Sequence, residues 1–348
     1  MKYRYLGNSG LLVSRICLGT MTFGNPDWGC DQGTATNITN AFISAGGNFI
    51  DTADMYSDGA SEEMLGQAIQ VHNRDDLVIA TKCWFRSGQS PNAKGLSRKH
   101  VIEACHASLR RMGTEYIDLY QIHGPDPNTP VEETMRALDD LVRFGLVRYV
   151  GCSNLYAWQF VKANAVSDRL GLERFVSGQY MYNLLRRDVE REILPACDDQ
   201  GLGLICWSPL ASGMLTGKYR GQETPAKDSR LDHRARVDIP RYWNEDSLRL
   251  IEDLVQISAE TDKTPSQIAL SWLLCDQRVT APIIGARTVE QLEENTVAGD
   301  WDLPASYHDR LANLIPFDHG YPKEWTDLAF PSTFGQEEFA PRRKQRLP

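Results

Sequence analysis

Short apolar runs of strand character alternate with longer amphipathic segments along nearly the whole chain. The runs cover residues 16–18, 48–51, 77–81, 117–122, 147–152, 175–179, 204–207 and 281–284. Between them apolar positions recur at helical spacing behind start signals. Ser61-Glu62-Glu63 precedes Met64-Leu65, Ser97 precedes Val101-Ile102, and Pro130-Val131-Glu132-Glu133 precedes Met135 and Leu138. Such alternation marks βα units around a parallel sheet. Eight units predict an α/β fold, the (β/α)8 TIM barrel, each strand followed by a crossover helix.

Three segments depart from the pattern. Residues 3–13 read as two short strands around the turn Asn8-Ser9-Gly10, a β-hairpin placed to plug the barrel bottom. The polar stretch 218–243, rich in Arg, Asp and Pro, reads as a long loop after the seventh strand, functional or disordered. Beyond Pro316 the periodicity fades toward Arg342-Arg343-Lys344-Gln345-Arg346, which predicts a flexible, solvated tail over 331–348. Single barrels of roughly 250 residues grow with inserted loops, so 1–348 is read as one elaborated domain.

Composition narrows the function. Apolar residues at 42% and charged residues at 24% suit a globular chain with a sizeable core. A net charge of -9 with mixed signs argues against a nucleic-acid footprint and for small-molecule partners, leaving a homo-oligomer open. The 8 cysteines form no CxxC pair and no zinc-type spacing with histidine, so no metal site and a reducing compartment are expected. No signal-type apolar segment opens the chain, and no run of ~18 apolar residues occurs. The expectation is a cytoplasmic protein without a membrane segment.

Chemistry in a (β/α)8 barrel gathers at the C-terminal strand ends. Here the second run ends in Asp51 and leads to Tyr56, the third leads to Lys82, the fourth to His123, the fifth to Ser153-Asn154, and the sixth ends in Gln179. Each alone has an ordinary structural explanation; together they suit carbonyl reduction. Tyr56 is the candidate acid, with an unperturbed pKa near ~10 that an adjacent Lys82 ammonium is expected to lower. Asp51 would keep a buried Lys82 charged, and His123 would meet the developing oxyanion. No GxGxxG supports a Rossmann site. Instead Gly285-Ala286-Arg287-Thr288 runs into a helix from Val289, where a barrel commonly binds phosphate after strands seven and eight. Arg287 suits a phosphomonoester there, or is simply a surface arginine.

Nearly the whole chain resembles the aldo-keto reductase superfamily. The motifs are Leu18-Gly19-Thr20-Met21-Thr22-Phe23-Gly24, Asp51-Thr52-Ala53 to Tyr56 with Gly59, Ser61 and Glu62, Thr81-Lys82, Ile122-His123, Gly151-Cys152-Ser153-Asn154-Leu155, Ser208-Pro209-Leu210 with Leu215-Thr216-Gly217-Lys218-Tyr219, and Gly285 to Asn295. Gly95-Leu96-Ser97-Arg98-Lys99-His100 and the run from Pro125 to Pro130 look closest to the branch holding potassium-channel β subunits and related bacterial reductases.

The resemblance implies an NADPH/NADP+ enzyme with Asp51, Tyr56, Lys82 and His123 as catalytic residues and Tyr56 as proton donor. It implies that Ser153, Asn154 and Gln179 hold the nicotinamide carboxamide and that Trp207, where many members carry Tyr, stacks on the ring. It implies that Pro209, Leu210, Ser212, Leu215 and Lys218 line the pyrophosphate with Arg230 closing over it, and that Gly19, Thr20, Met21, Asp51, Ser208 and Gly285 are further cofactor contacts. Arg287, Gln291, Glu294 and Asn295 address the adenosine end. Trp28, Tyr56, Trp84, Phe85 and His123 are the implied substrate pocket, with Met21, Tyr321 and Trp325 as further walls. Two readings follow: a reductase of aldehydes or ketones that also oxidises alcohols, or an NADPH-sensing channel subunit with little turnover. His123 favours the enzyme, since channel β subunits characteristically lack histidine there.

Overall fold

The computed structural model describes residues 1–225, 227 and 229–334. The chain forms two compact units, Met1–Ile315 and Pro316–Pro348. In the first, β1 (Tyr3–Tyr5) and β2 (Leu12–Ser14) pair antiparallel. Eight more strands follow: β3 (Cys17–Gly19), β4 (Phe49–Asp51), β5 (Val78–Cys83), β6 (Ile117–Ile122), β7 (Val147–Ser153), β8 (Phe175–Met181), β9 (Gly203–Trp207) and β10 (Val279–Ile284). They pair in parallel in chain order, and β10 closes on β3. The alternation along the sequence therefore reads out as the closed barrel it predicts, with an N-terminal hairpin.

The strand pattern explains the core. Side chains on a strand alternate between faces. Phe49, Val78, Ala80, Leu119, Ile205 and Ala281 fill one cluster inside the barrel, whereas Ile50, Ile79, Tyr120, Val150 and Cys206 belong to the larger cluster that the helices cover. Leu6 and Val13 of the hairpin join the inner cluster, closing the bottom. Each fully buried aliphatic or aromatic side chain contributes about 1.5–3 kcal/mol. The hairpin turn needs Gly7: its φ is +57°, and a Cβ there would lie 2.4 Å from the Gly201 carbonyl.

The helix signals hold with one exception. Ser97 caps the helix Arg98–Met112 by accepting from the His100 amide at 3.3 Å, and Pro130 precedes Val131–Arg143. The helix after β4 starts at Ala60, so Ser61 is inside it and turns its hydroxyl to the Thr20 carbonyl at 2.7 Å.

The stretch 218–243 is not one irregular loop, because Arg230–His233 and Ala235–Tyr242 are helical. Its polarity concealed buried anchors. Leu231 and Tyr242 are fully buried, and Asp238 accepts from Ser212 Oγ at 2.7 Å and Arg234 Nε at 2.9 Å. In the second unit the helix Lys323–Phe334 runs into the opening residues of the expected tail; 335–348 lie outside the described residues. Among the described residues no helix is long and apolar enough to cross a membrane.

Candidate active site

The inward rows of the strands deliver the site. The row through Phe49 on β4 ends in Asp51, the row through Val78 and Ala80 on β5 ends in Lys82, and the row through Leu119 on β6 continues to Gln121 and His123. Ser153, Gln179 and Trp207 occupy the same ends of β7, β8 and β9. The site is the polar top layer of an apolar barrel core.

Lys82 is at its centre and is wholly buried. Its Nζ donates to Asp51 Oδ1 at 2.5 Å, to the Thr52 carbonyl at 2.7 Å and to Tyr56 Oη at 3.4 Å. Burial pulls the ammonium pKa down, but Asp51 and Tyr56 together outweigh it and hold Lys82 above its ordinary value. A buried cation needs this pairing, since removing one partner strands the other's charge.

Tyr56 behaves otherwise than its sequence suggested. Burial pushes its phenol above the ordinary value and outweighs the opposing pull of Lys82. The expected lowering toward neutrality is therefore not met, because desolvating a phenolate costs more than one ammonium at 3.4 Å returns. His123 is held well below its ordinary range, first by burial and then by Lys82, so its imidazole is neutral. Its ring packs edge-on to Tyr56 with centroids 6.1 Å apart, and its Nδ1 is buried without a hydrogen-bond partner among the described residues.

A network across the barrel orients this group. Asp51 Oδ2 accepts from Gln179 Nε2 at 2.8 Å and from Gln121 Nε2 at 3.1 Å. Gln179 Nε2 also donates to Gln121 Oε1 at 3.4 Å, so its amide group serves both Asp51 and Gln121. Gln121 was missed by the sequence reading. Its signal was a polar residue on the inward side of an apolar strand, two positions from His123. Ser153 Oγ donates to the Gln179 carbonyl at 2.9 Å, Asn154 Nδ2 to the His123 carbonyl at 3.0 Å, and Trp207 Nε1 to Asn154 Oδ1 at 3.2 Å.

The loop carrying Tyr56 is locally strained and held. Ser57 and Asp58 adopt left-handed backbone, with φ of 49° and 53°. Ser57 Oγ bonds the Phe23 carbonyl at 3.0 Å, and Glu62 accepts from Thr81 Oγ1 at 2.5 Å and Arg111 Nε at 2.6 Å. Asn154, Ser208, Ala211 and Ser212 are left-handed too, after β7 and β9. Such residues cost about 1–3 kcal/mol each and cluster where a site is built.

Beside this mouth lies a cleft of about 310 Å³ between the chain after β9 and the chain after β10. The structure brings together in its lining Ser208, Pro209, Leu210, Ser212, Lys218, Arg230, Gly285, Arg287, Gln291, Glu294 and Asn295, all residues assigned to the cofactor from sequence. Thr22, Gly213, Thr216, Ser266, Ile283 and Ile284 also line it and were missed; they carry no distinctive chemistry along the chain.

Lys218, Arg230 and Arg287 converge there without an ion-pair partner among the described residues. Burial, then Arg287 and Arg230, lower the Lys218 pKa, and burial followed by Arg234 lowers that of Arg230, whose Nε is buried and has no partner among the described residues. Thr288 caps the helix Val289–Thr296 at the cleft's edge, and Gln291 Oε1 accepts from the Arg287 amide at 3.0 Å. Surplus positive charge beside a helix N-terminus fits a phosphorylated, polyanionic ligand.

Some expected contacts fall elsewhere. Gly19, Thr20, Met21 and Leu215 do not line the cleft: Gly19 is within β3, Thr20 is buried with its hydroxyl 2.7 Å from Ser61 Oγ, Met21 is half-buried, and Leu215 packs in the core. Trp28 lines the cleft with the Arg230 guanidinium 5.1 Å from its ring centre, instead of standing beside His123. Phe85 does stand there, edge-on at 5.0 Å, with Trp84 4.7 Å behind it. Tyr321 and Trp325 belong to the second unit.

Known proteins resemble this chain over most of its length. Residues 15–316 match the model of the Aldo/keto reductase family. The chain is 41% identical over 312 residues to a probable voltage-gated potassium channel subunit beta of Oryza sativa subsp. japonica, covering 86% of this chain and 92% of the relative. It is 37% identical over 320 residues to versiconal hemiacetal acetate reductase of Aspergillus parasiticus, covering 84% and 91%. It is 37% identical over 330 residues to an uncharacterized oxidoreductase of Bacillus subtilis (strain 168), covering 91% and 96%.

Proposed function

The chain belongs to the aldo/keto reductase family, and from that premise we propose that it reduces aldehydes or ketones to alcohols with NADPH, reversibly, using Tyr56 as proton donor. The observation that carries the reading is the Lys82 ammonium held between Asp51 and Tyr56, with a neutral His123 across from the phenol.

Lys218, Arg230 and Arg287 would hold the phosphates of NADPH, Ser153, Asn154 and Gln179 its carboxamide, and Trp207 the flat face of its ring. Bound there, the cofactor supplies hydride. This chain's own residues then manage charge and protons. His123, being neutral, serves as a hydrogen-bond donor to the substrate oxygen and not as an acid. Tyr56, with its raised pKa, enters turnover protonated and delivers its proton to that oxygen. Lys82 stabilises the phenolate left behind, and Asp51, saturated by Lys82, Gln121 and Gln179, keeps the ammonium in place.

A channel-accessory role resembling that named for the rice relative is the competing reading. The intact set of acid, ammonium and imidazole favours turnover. The eight unpaired cysteines suit a reducing compartment such as the cytoplasm. Consumption of NADPH absorbance across a panel of aldehydes and ketones tests the proposal. A protein that binds NADPH and reduces none of them would overturn it in favour of the accessory role.

A further inference from the structure

A second groove, of about 440 Å³, shares its Phe85 wall with the catalytic mouth. Trp84 and Phe85 form one side, and Pro91, Pro125 and Pro127 contribute further apolar surface. The volume falls within the roughly 300–1,000 Å³ of small-molecule sites. The aromatic wall is fixed in place: Trp84 Nε1 donates to the Pro125 carbonyl at 2.9 Å, and a Cβ at Gly124 would press to 3.2 Å from the indole. Phe85 is braced between Trp84 and His123.

Two cations, Arg86 and Lys94, face one carboxylate in this groove, which leaves it positive. Its carboxylate, Asp126, is occupied by the Leu96 amide at 2.8 Å, the Asn128 amide at 2.9 Å and Thr129 Oγ1 at 2.8 Å. Those bonds hold Asp126 below its ordinary range against the opposing effect of burial. The remaining charges are Arg86 and Lys94, which make no ion pair among the described residues. Arg86 Nη1 donates to the carbonyls of Gly88 and Ser90, at 3.2 and 3.1 Å.

We propose that this groove is a distal substrate subsite that takes the flat aromatic body of a carbonyl compound whose far end bears a carboxylate. The inference rests on the reductase reading of Tyr56 and His123 and adds the class of substrate. The aromatic body packs face-on to one of Trp84 and Phe85 and edge-on to the other, whose rings stand at 80°, while the carboxylate reaches Arg86 and Lys94. Both cations are exposed, so water and salt weaken their effect to a modest factor.

The test compares 4′-formylbiphenyl-4-carboxylate with its methyl ester, and benzaldehyde as a substrate too short for the groove. At low salt the carboxylate should exceed the ester in kcat/KM by about three- to fivefold, through KM, and the ratio should shrink as salt rises. In the Arg86→Ala/Lys94→Ala double variant the ratio should fall to about one. A wild-type ratio at or below one, or a ratio retained in the variant, overturns the proposal.

Calorimetric binding of biphenyl-4-carboxylate needs no turnover and keeps the two readings apart. Affinity should drop about fivefold in the double variant and also in Trp84→Ala, and undiminished binding in the double variant refutes the subsite. Benzaldehyde reduction without carboxylate preference sinks the groove and spares the reductase. Failure to reduce any aldehyde sinks the reductase and leaves the groove to be decided by calorimetry.

Discussion

Asp54, two residues before Tyr56, offers the sharpest test of the electrostatics behind the site. It is 5% exposed, and neither carboxylate oxygen has a hydrogen-bond partner among the described residues. It lines a cavity of about 250 Å³ with Ser87, His100, Glu103, Arg110 and Arg111. Burial, reinforced by Glu62 and opposed by Arg111, pushes its pKa from 3.8 up to about 7. A shift of about three units corresponds to roughly 4 kcal/mol of linkage. The sign is destabilising. Between pH 4 and 7 the folded chain keeps a proton that the unfolded chain has released, so this contribution to stability falls as pH rises through that window and is flat above it.

Asp54→Asn keeps the shape and cannot ionise, so it should match wild type near pH 4 and exceed it at pH 8. Urea unfolding of both proteins at pH 5 and pH 8 should show the gap widening by roughly 2–3 kcal/mol in favour of the variant. Neighbouring His100, lowered by burial, contributes in the opposite direction but is common to both proteins and largely cancels in the difference. Parallel pH curves, or a variant weaker than wild type at pH 8, would refute the reasoning and mean that Arg111 pairs with the charged carboxylate.

Three further outcomes follow from the site. Tyr56→Phe should lower turnover by about 10²–10⁴-fold while NADPH affinity, measured by fluorescence titration, stays within about twofold; most activity surviving would exclude Tyr56 as the acid. Arg287→Ala should weaken NADPH by about 10–100-fold and NADH far less, because only NADPH has a 2′-phosphate to lose a charge-assisted bond. Equal losses would place the cofactor preference elsewhere. Gln121→Ala, which removes one amide donor from Asp51, should cost about 1–3 kcal/mol in urea unfolding and lower kcat more than it alters KM. A variant as stable and active as wild type would show that Gln121 is dispensable.

Much of this was legible along the chain because it depends on local period. The strands at 117–122, 147–152 and 175–179 declare themselves by apolar runs, and their inward positions carry Gln121 and Gln179 to the barrel mouth. What remained hidden depends on closure. The bond from Gln179 to Asp51 joins residues 128 apart in sequence, and the spacing of either strand is silent about it. Tyr56 shows the same limit in energy: its neighbour Lys82 is foreseeable, but the depth of burial that reverses the net shift is not. The helices at Arg230–His233 and Ala235–Tyr242 escaped because one of their anchors is an ion-paired aspartate, which reads as solvent-facing until Ser212 and Arg234 are seen on it.

The meeting of Gln121 and Gln179 on one oxygen of Asp51 has a consequence for assembly as well as for chemistry. The three residues come from alternate strands of a closed sheet, β4, β6 and β8. A one-residue slip of either glutamine strand would turn its amide outward and leave the carboxylate short of a donor. The apolar residues below tolerate such exchanges far better, since one methyl group substitutes for another. The polar layer thus checks barrel closure: a mispaired barrel is penalised at the carboxylate whose other oxygen holds Lys82, so a register error also loosens the anchor of the ammonium.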